Sequence, residues 1–146
     1  MTVTIIFGSE TGTCENLASQ AKSYFQKYNI EANVLDMNDV KAEDLKSFKN
    51  LLLITSTWGD GEPPTNAQGL YDELDETNID LAELSYAVFA VGQSFYDNFC
   101  RTGKDFDEFL SKLGAKRLAE VFLSDDDSDE TFLPWIEKIK GTISQT

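Results

Sequence analysis

Leu51-Leu52-Leu53-Ile54-Thr55 runs directly into Ser56-Thr57-Trp58-Gly59-Asp60-Gly61-Glu62-Pro63-Pro64, and the two stretches together decide the fold. A short, nearly continuous apolar run suits a strand covered on both faces, as in a parallel sheet. The prolines and glycines that follow forbid helix and strand and set up turns. Tyr86 to Val91 (YAVFAV) repeats the pattern, and Thr2 to Phe7 (TVTIIF) and Glu120 to Ser124 (EVFLS) also read as strands. Glu31 to Met37 (EANVLDM) alternates, with Ala32 and Val34 on one face, and fits an edge strand.

Between these runs lie helical periods. Leu17, Ala21, Tyr24, Phe25 and Tyr28 share one face, as do Ala67, Leu70, Tyr71 and Leu74. Phe106, Phe109, Leu110 and Leu113 form a third face, and Phe132, Ile136, Ile139 and Ile143 a fourth. A shorter helix-like piece covers Glu43 to Phe48. Strand and helix alternate throughout, which predicts an α/β doubly wound parallel sheet of five strands, order 2-1-3-4-5, with helices on both faces. Ligands bind such sheets at the carboxyl ends of the strands, beside the point where the winding reverses. Here that point lies between the first and third strands, so the loops after the first, third and fourth strands are expected to line one crevice.

The chain has 146 residues, enough for one domain spanning 1–146. Twelve Lys and Arg against 26 Asp and Glu give a net charge of −14. That field repels nucleic acid and anionic lipid surfaces and attracts basic proteins. There is no histidine, which removes the usual neutral-pH general base, the Ser–His and Cys–His pairs and most zinc sites. No metal site is expected. The two cysteines, Cys14 and Cys100, lie far apart and are expected as free thiols. No run is long enough to span a bilayer, and Met1-Thr2-Val3 enters a strand directly, so a cytoplasmic protein is expected.

The loop after the first strand, Gly8-Ser9-Glu10-Thr11-Gly12-Thr13-Cys14-Glu15-Asn16, crowds hydroxyls and glycines at a helix N-terminus. Unpaired backbone N–H groups and the helix dipole favour an anion there. It is neither a lysine-bearing P-loop nor a GxGxxG turn. N–H and O–H donors without a basic side chain suit a monophosphate; on this segment alone, simple N-capping by Ser9, Thr11 or Thr13 reads equally well. The loop after the third strand carries Trp58 near its tip, to cover a ligand or to pack on the adjacent helix. The loop after the fourth, Gly92-Gln93-Ser94-Phe95-Tyr96-Asp97-Asn98-Phe99-Cys100, carries Tyr96 as the residue expected to face a ligand and Phe99 as core. Aromatic tips on two neighbouring loops above a phosphate-type loop make a slot for a flat heteroaromatic ring.

On these three motifs the sequence resembles the flavodoxin family along its whole length. GSETGTCEN resembles the family's phosphate loop and, in its T-G-T wording, the FMN domains of diflavin reductases. STWGDGEPP and VGQSFYDNFC resemble the two loops that sandwich the isoalloxazine, and LGAKRLAEVFLSDDD is similar to the last strand region of the same group. The absence of a long insertion there resembles the short-chain class. The resemblance implies non-covalent FMN and a low-potential one-electron carrier, shuttling between a reductase and an acceptor protein. It implies that Ser9, Glu10, Thr11, Gly12, Thr13 and Cys14 hold the phosphate with Ser56. Thr57, Trp58 and Gly59 would line one side of the ring, and Tyr96 would stack on the other. Backbone groups of Val91, Gly92, Gln93, Asn98, Phe99 and Cys100 would reach the ribityl chain and pyrimidine edge. Cys14 stands where many flavodoxins have threonine, and Gln93 where many have an acidic residue. The expected partners are basic-surfaced redox proteins, a flavodoxin reductase and acceptor enzymes, meeting a monomer. No residue is expected to be catalytic, since the flavin supplies the chemistry. An FMN domain of a diflavin reductase system, or a flavin or quinone reductase using NAD(P)H directly, is the alternative. A phosphorylated receiver domain would need acidic residues where this chain has Ser9, Thr11, Ser56 and Thr57.

Overall fold

The computed structural model describes residues 2–9, 12–56, 63–92, 101–125 and 128–143. Thr2–Gly8 forms β1, Thr13–Lys27 α1, Glu31–Asp36 β2 and Asn50–Ser56 β3. Gln68–Glu76 forms α2, Ser85–Gly92 β4 and Arg101–Lys112 α3. Lys116–Arg117 is β5, Phe122–Asp125 is β6 and Ser128–Ile143 is α4. All pairings are parallel, and the order β2-β1-β3-β4-β5, with β6 also on β4, is the expected winding.

The central strands are apolar on both sides because each side meets its own helical layer. Val3, Ile5, Phe7, Leu52, Ile54, Ala87 and Phe89 pack with Leu17, Ala21 and Phe25 of α1 and with Phe132, Ile136 and Ile139 of α4. The alternate residues, Ile6, Leu51, Leu53, Tyr86 and Val88, pack with Leu70 and Leu74 of α2 and Phe106 and Leu110 of α3. Side chains along a strand point alternately to opposite faces, so one run of residues feeds two cores.

Three sequence expectations change. The piece over Glu43 to Phe48 is a 3-10 turn, Ala42–Ser47, preceded by another at Met37–Asp39, so Met37 leaves the strand. The Lys41 N–H donates to the Asp44 carboxylate at 2.9 Å, and Phe48 is already extended, which leaves no length for an α-helix. Tyr28 is not on the buried face of α1. The helix ends at Lys27, Asn29 takes φ 60, and Tyr28 is 49% exposed beneath the Lys140 ammonium. An asparagine tolerates that left-handed stop. The last strand, expected over Glu120 to Ser124, comes in two pieces, and its second piece begins at Phe122. Tyr86 pairs with Arg117 and Phe89 with Phe122, so two residues of β4 face the four from Leu118 to Val121 and the edge bulges.

The bulge is anchored at its start. Arg117 places Nε 3.0 Å and Nη2 2.7 Å from the Asp107 carboxylate, which also accepts from the buried Tyr86 hydroxyl at 2.9 Å. Burial, then the Asp107 contact, pushes the Tyr86 phenol up to about 12.

Candidate functional site

The strand ends are level where the winding reverses. Gly8 pairs with Thr55, Ser56 with Val91 and Gly92 with Asp125, so the loops after β1, β3 and β4 leave the sheet from adjoining positions. Ser56, Val91 and Gly92 are each half-buried at that rim. The Thr55 hydroxyl lies 3.2 Å from the Gly8 carbonyl and closes β1 onto β3 beneath the crevice.

Gly8 itself has no room for a side chain. A Cβ there would lie 2.8 Å from Ala67 Cβ and 2.8 Å from Met37 Sδ. The 3-10 turn Thr65–Ala67, which brings the chain back from the loop after β3, is thereby pressed against the start of the loop after β1. At that contact the Ser9 N–H donates to Asn66 Oδ1 at 2.9 Å, and Asn66 Nδ2 donates to Asp36 Oδ1 at 3.1 Å.

α1 begins at Thr13, five residues beyond the end of β1. Its N-cap is Gly12, with no side-chain cap, and a Cβ on Gly12 would meet nothing within 4 Å. The first bond of the helical ladder runs from the Asn16 N–H to the Gly12 carbonyl at 2.9 Å, so the N–H groups of Cys14 and Glu15 precede it. No lysine or arginine occurs between Gly8 and Asn16. Gly12 and Thr13 are exposed, whereas Cys14 turns into the core under α1. Burial pushes the Cys14 thiol up to about 12, and the Ser9 hydroxyl against it acts weakly in the other direction. Cys14 therefore offers the site its backbone and not its side chain. It is a free thiol, as expected.

Of the residues expected at the site, Ser9, Gly12, Thr13, Cys14, Ser56, Val91 and Gly92 are described, and all stand around this rim. Glu10, Thr11, Thr57, Trp58, Gly59, Gln93, Tyr96, Asn98, Phe99 and Cys100 lie outside the described residues. Thr55, Asn66 and Asp36 were not expected. Their partners lie far away in sequence, and their local composition is that of an ordinary strand end or turn. The described residues show no group of His, Cys, Asp and Glu that could hold a metal.

The flavodoxin family model matches residues 5–135. The chain belongs to the flavodoxin family. The solved Streptococcus pneumonia TIGR4 flavodoxin superposes with a TM-score of 0.85 at 25% identity, over 100% of both chains. The sulfite reductase [NADPH] flavoprotein alpha-component of Bacillus subtilis is 38% identical over 138 residues, 94% of this chain and 23% of that one. NADPH–cytochrome P450 reductase of Bos taurus is 35% identical over 143 residues, 93% of this chain and 21% of that one. The chain thus spans about a fifth to a quarter of the length of these two relatives. FMN is the cofactor of this flavodoxin family, and the open, lysine-free end of α1 fits its phosphate.

Proposed function

We propose that the chain is a single-domain, monomeric and cytoplasmic one-electron carrier that works at low potential between a reductase and an acceptor protein. The observation that carries this is the N-terminus of α1, with Gly12 at its N-cap and no lysine or arginine between Gly8 and Asn16, set beside the point where the winding reverses. Among the described residues, no helix is long and apolar enough to cross a membrane.

In this reading the N–H groups of Gly12, Thr13 and Cys14 bind the FMN phosphate with the hydroxyls of Ser9, Thr11 and Ser56. The helix dipole offsets its charge. The residues of the loops after β3 and β4, Thr57 to Gly59 and Gln93 to Cys100, hold the ring and keep water from it. Val91 and Gly92 give the rigid strand end from which the last loop departs. When bound, the flavin accepts and releases single electrons. The protein tunes that exchange by charge. One carboxylate about 10 Å away, at an effective dielectric of roughly 40, raises the energy of an added electron by about 0.8 kcal/mol. That is on the order of 35 mV for one electron, since a tenfold change is 59 mV. With a net charge of −14, several such contributions lower the potential and draw in basic-surfaced partners.

The relatives favour a second reading. Both are reductase chains that this chain matches over 94% and 93% of its own length. The same site would then serve as the FMN module of a larger reductase system. Stopped-flow mixing separates a carrier from an enzyme. Photoreduced, FMN-loaded protein is expected to reduce the basic protein cytochrome c, faster at low than at high salt, while NADPH alone leaves the oxidised protein unchanged. Sustained NADPH oxidation with a quinone by the chain alone would overturn the carrier reading.

A further inference from the structure

The loop that begins at Ser9 is tied down before it reaches its first proposed phosphate donor. Asn66 accepts the Ser9 N–H through Oδ1 at 2.9 Å and donates from Nδ2 to Asp36 at 3.1 Å. The orientation of the amide is fixed by chemistry, because a backbone N–H needs an acceptor and a carboxylate needs a donor. Asp36 is itself held at the end of β2, where its carboxylate caps the Asn38 N–H at 2.9 Å. Three segments that never adjoin in sequence therefore meet on one side chain. They are the end of β2, the entry to the loop after β1, and the exit from the loop after β3. The contact is seated by Gly8, where any side chain would strike Ala67 and Met37.

We propose that Asn66 is a positioning residue for the phosphate site, with Asp36 fixing its orientation. This rests on the reading of that site given above. Two consequences follow from the hydrogen bonds. The Ser9 N–H is engaged by Asn66 and does not serve as a phosphate donor, so the donor set starts at the Ser9 hydroxyl. The loop that binds phosphate is also locked to the segment that closes the loop after β3, so both hold one register whether or not the ligand is present.

Two measurements decide it. In the wild-type apoprotein, the Ser9 amide is expected to exchange with deuterium far more slowly than in an unstructured chain. Exchange at the unprotected rate would overturn the proposal without any variant. In Asn66→Ala the Ser9 N–H loses its partner, and the dissociation constant for FMN is expected to rise about tenfold. That for riboflavin, which lacks the phosphate, is expected to hold. Asp36→Ala is expected to weaken FMN binding less, and to add little once Asn66 is gone. Equal losses for FMN and riboflavin, or no loss for either, would overturn the assignment. Wild-type protein that binds no FMN would remove the functional reading instead, and the Ser9 amide would still decide whether Asn66 holds the loop.

Discussion

Cys14 occupies the second position of α1, one residue past an open anion site, yet its thiol takes no part in that site. It is fully buried with Leu17 and Ala18, and burial pushes it from 9.0 up to about 12. The nucleophile is the thiolate, so at pH 8 the folded chain holds roughly a thousandfold less of it than the unfolded chain. Iodoacetamide at pH 8 is expected to leave Cys14 unmodified in native protein and to label it in urea, as read from the peptide masses. Equal labelling in both would contradict the buried placement. The sign of the linked stability follows from the same shift. The unfolded chain ionises first, so the contribution of the neutral thiol is fully present below pH 9 and lost as the pH rises towards 12.

At the scale of elements, the docking of α3 on β4 sets the exit of the loop that ends just before Arg101. The contact is made at Gly103, where a Cβ would lie 2.3 Å from Ala90 Cβ and 3.3 Å from Ala90 Cα. Gly103→Ala is expected to destabilise the protein by about 1–3 kcal/mol despite the better helix propensity, because α3 must move off the sheet. Gly141, in α4, has nothing within 4 Å of such a Cβ, and Gly141→Ala is expected to stabilise by about 0.5–1 kcal/mol. Denaturant unfolding of the two variants checks both signs, and a gain at Gly103 would contradict the close packing. Elements were legible from sequence where burial dictates them. Leu51 to Thr55 and Tyr86 to Val91 are short continuous apolar runs next to turn residues, the pattern that suits strands covered on both faces. The crossover after β2 was not legible, because its turn is held by the Asp44 cap and by the Glu73 carboxylate of α2, which accepts the Ala42 N–H from 31 positions away. Nor was the break between β5 and β6. Leu118 to Val121 are apolar enough to continue a strand, and the bulge is held by Arg117 reaching Asp107 across the fold. The site divides the same way. The stretch from Ser9 to Cys14 could be picked out in the sequence as a candidate anion loop because small residues and hydroxyls precede a helix, whereas Ser56 and Gly92 entered only through the family resemblance. Asn66 was not legible, since its role arises from a partner 57 positions away.

Over the whole molecule, the sheet brings the ends of β1, β3 and β4 to one rim, and the chain carries a net charge of −14. With no lysine or arginine between Gly8 and Asn16, the proposed phosphate site relies on backbone N–H groups, hydroxyls and the dipole of α1. Titration of apoprotein into FMN, followed by the flavin fluorescence, tests whether that end of the helix binds the phosphate. Quenching is expected to saturate at one FMN per chain, with riboflavin bound more weakly because it forgoes the end of α1. Fluorescence that stays constant through an excess of apoprotein, or riboflavin bound as tightly as FMN, would contradict it.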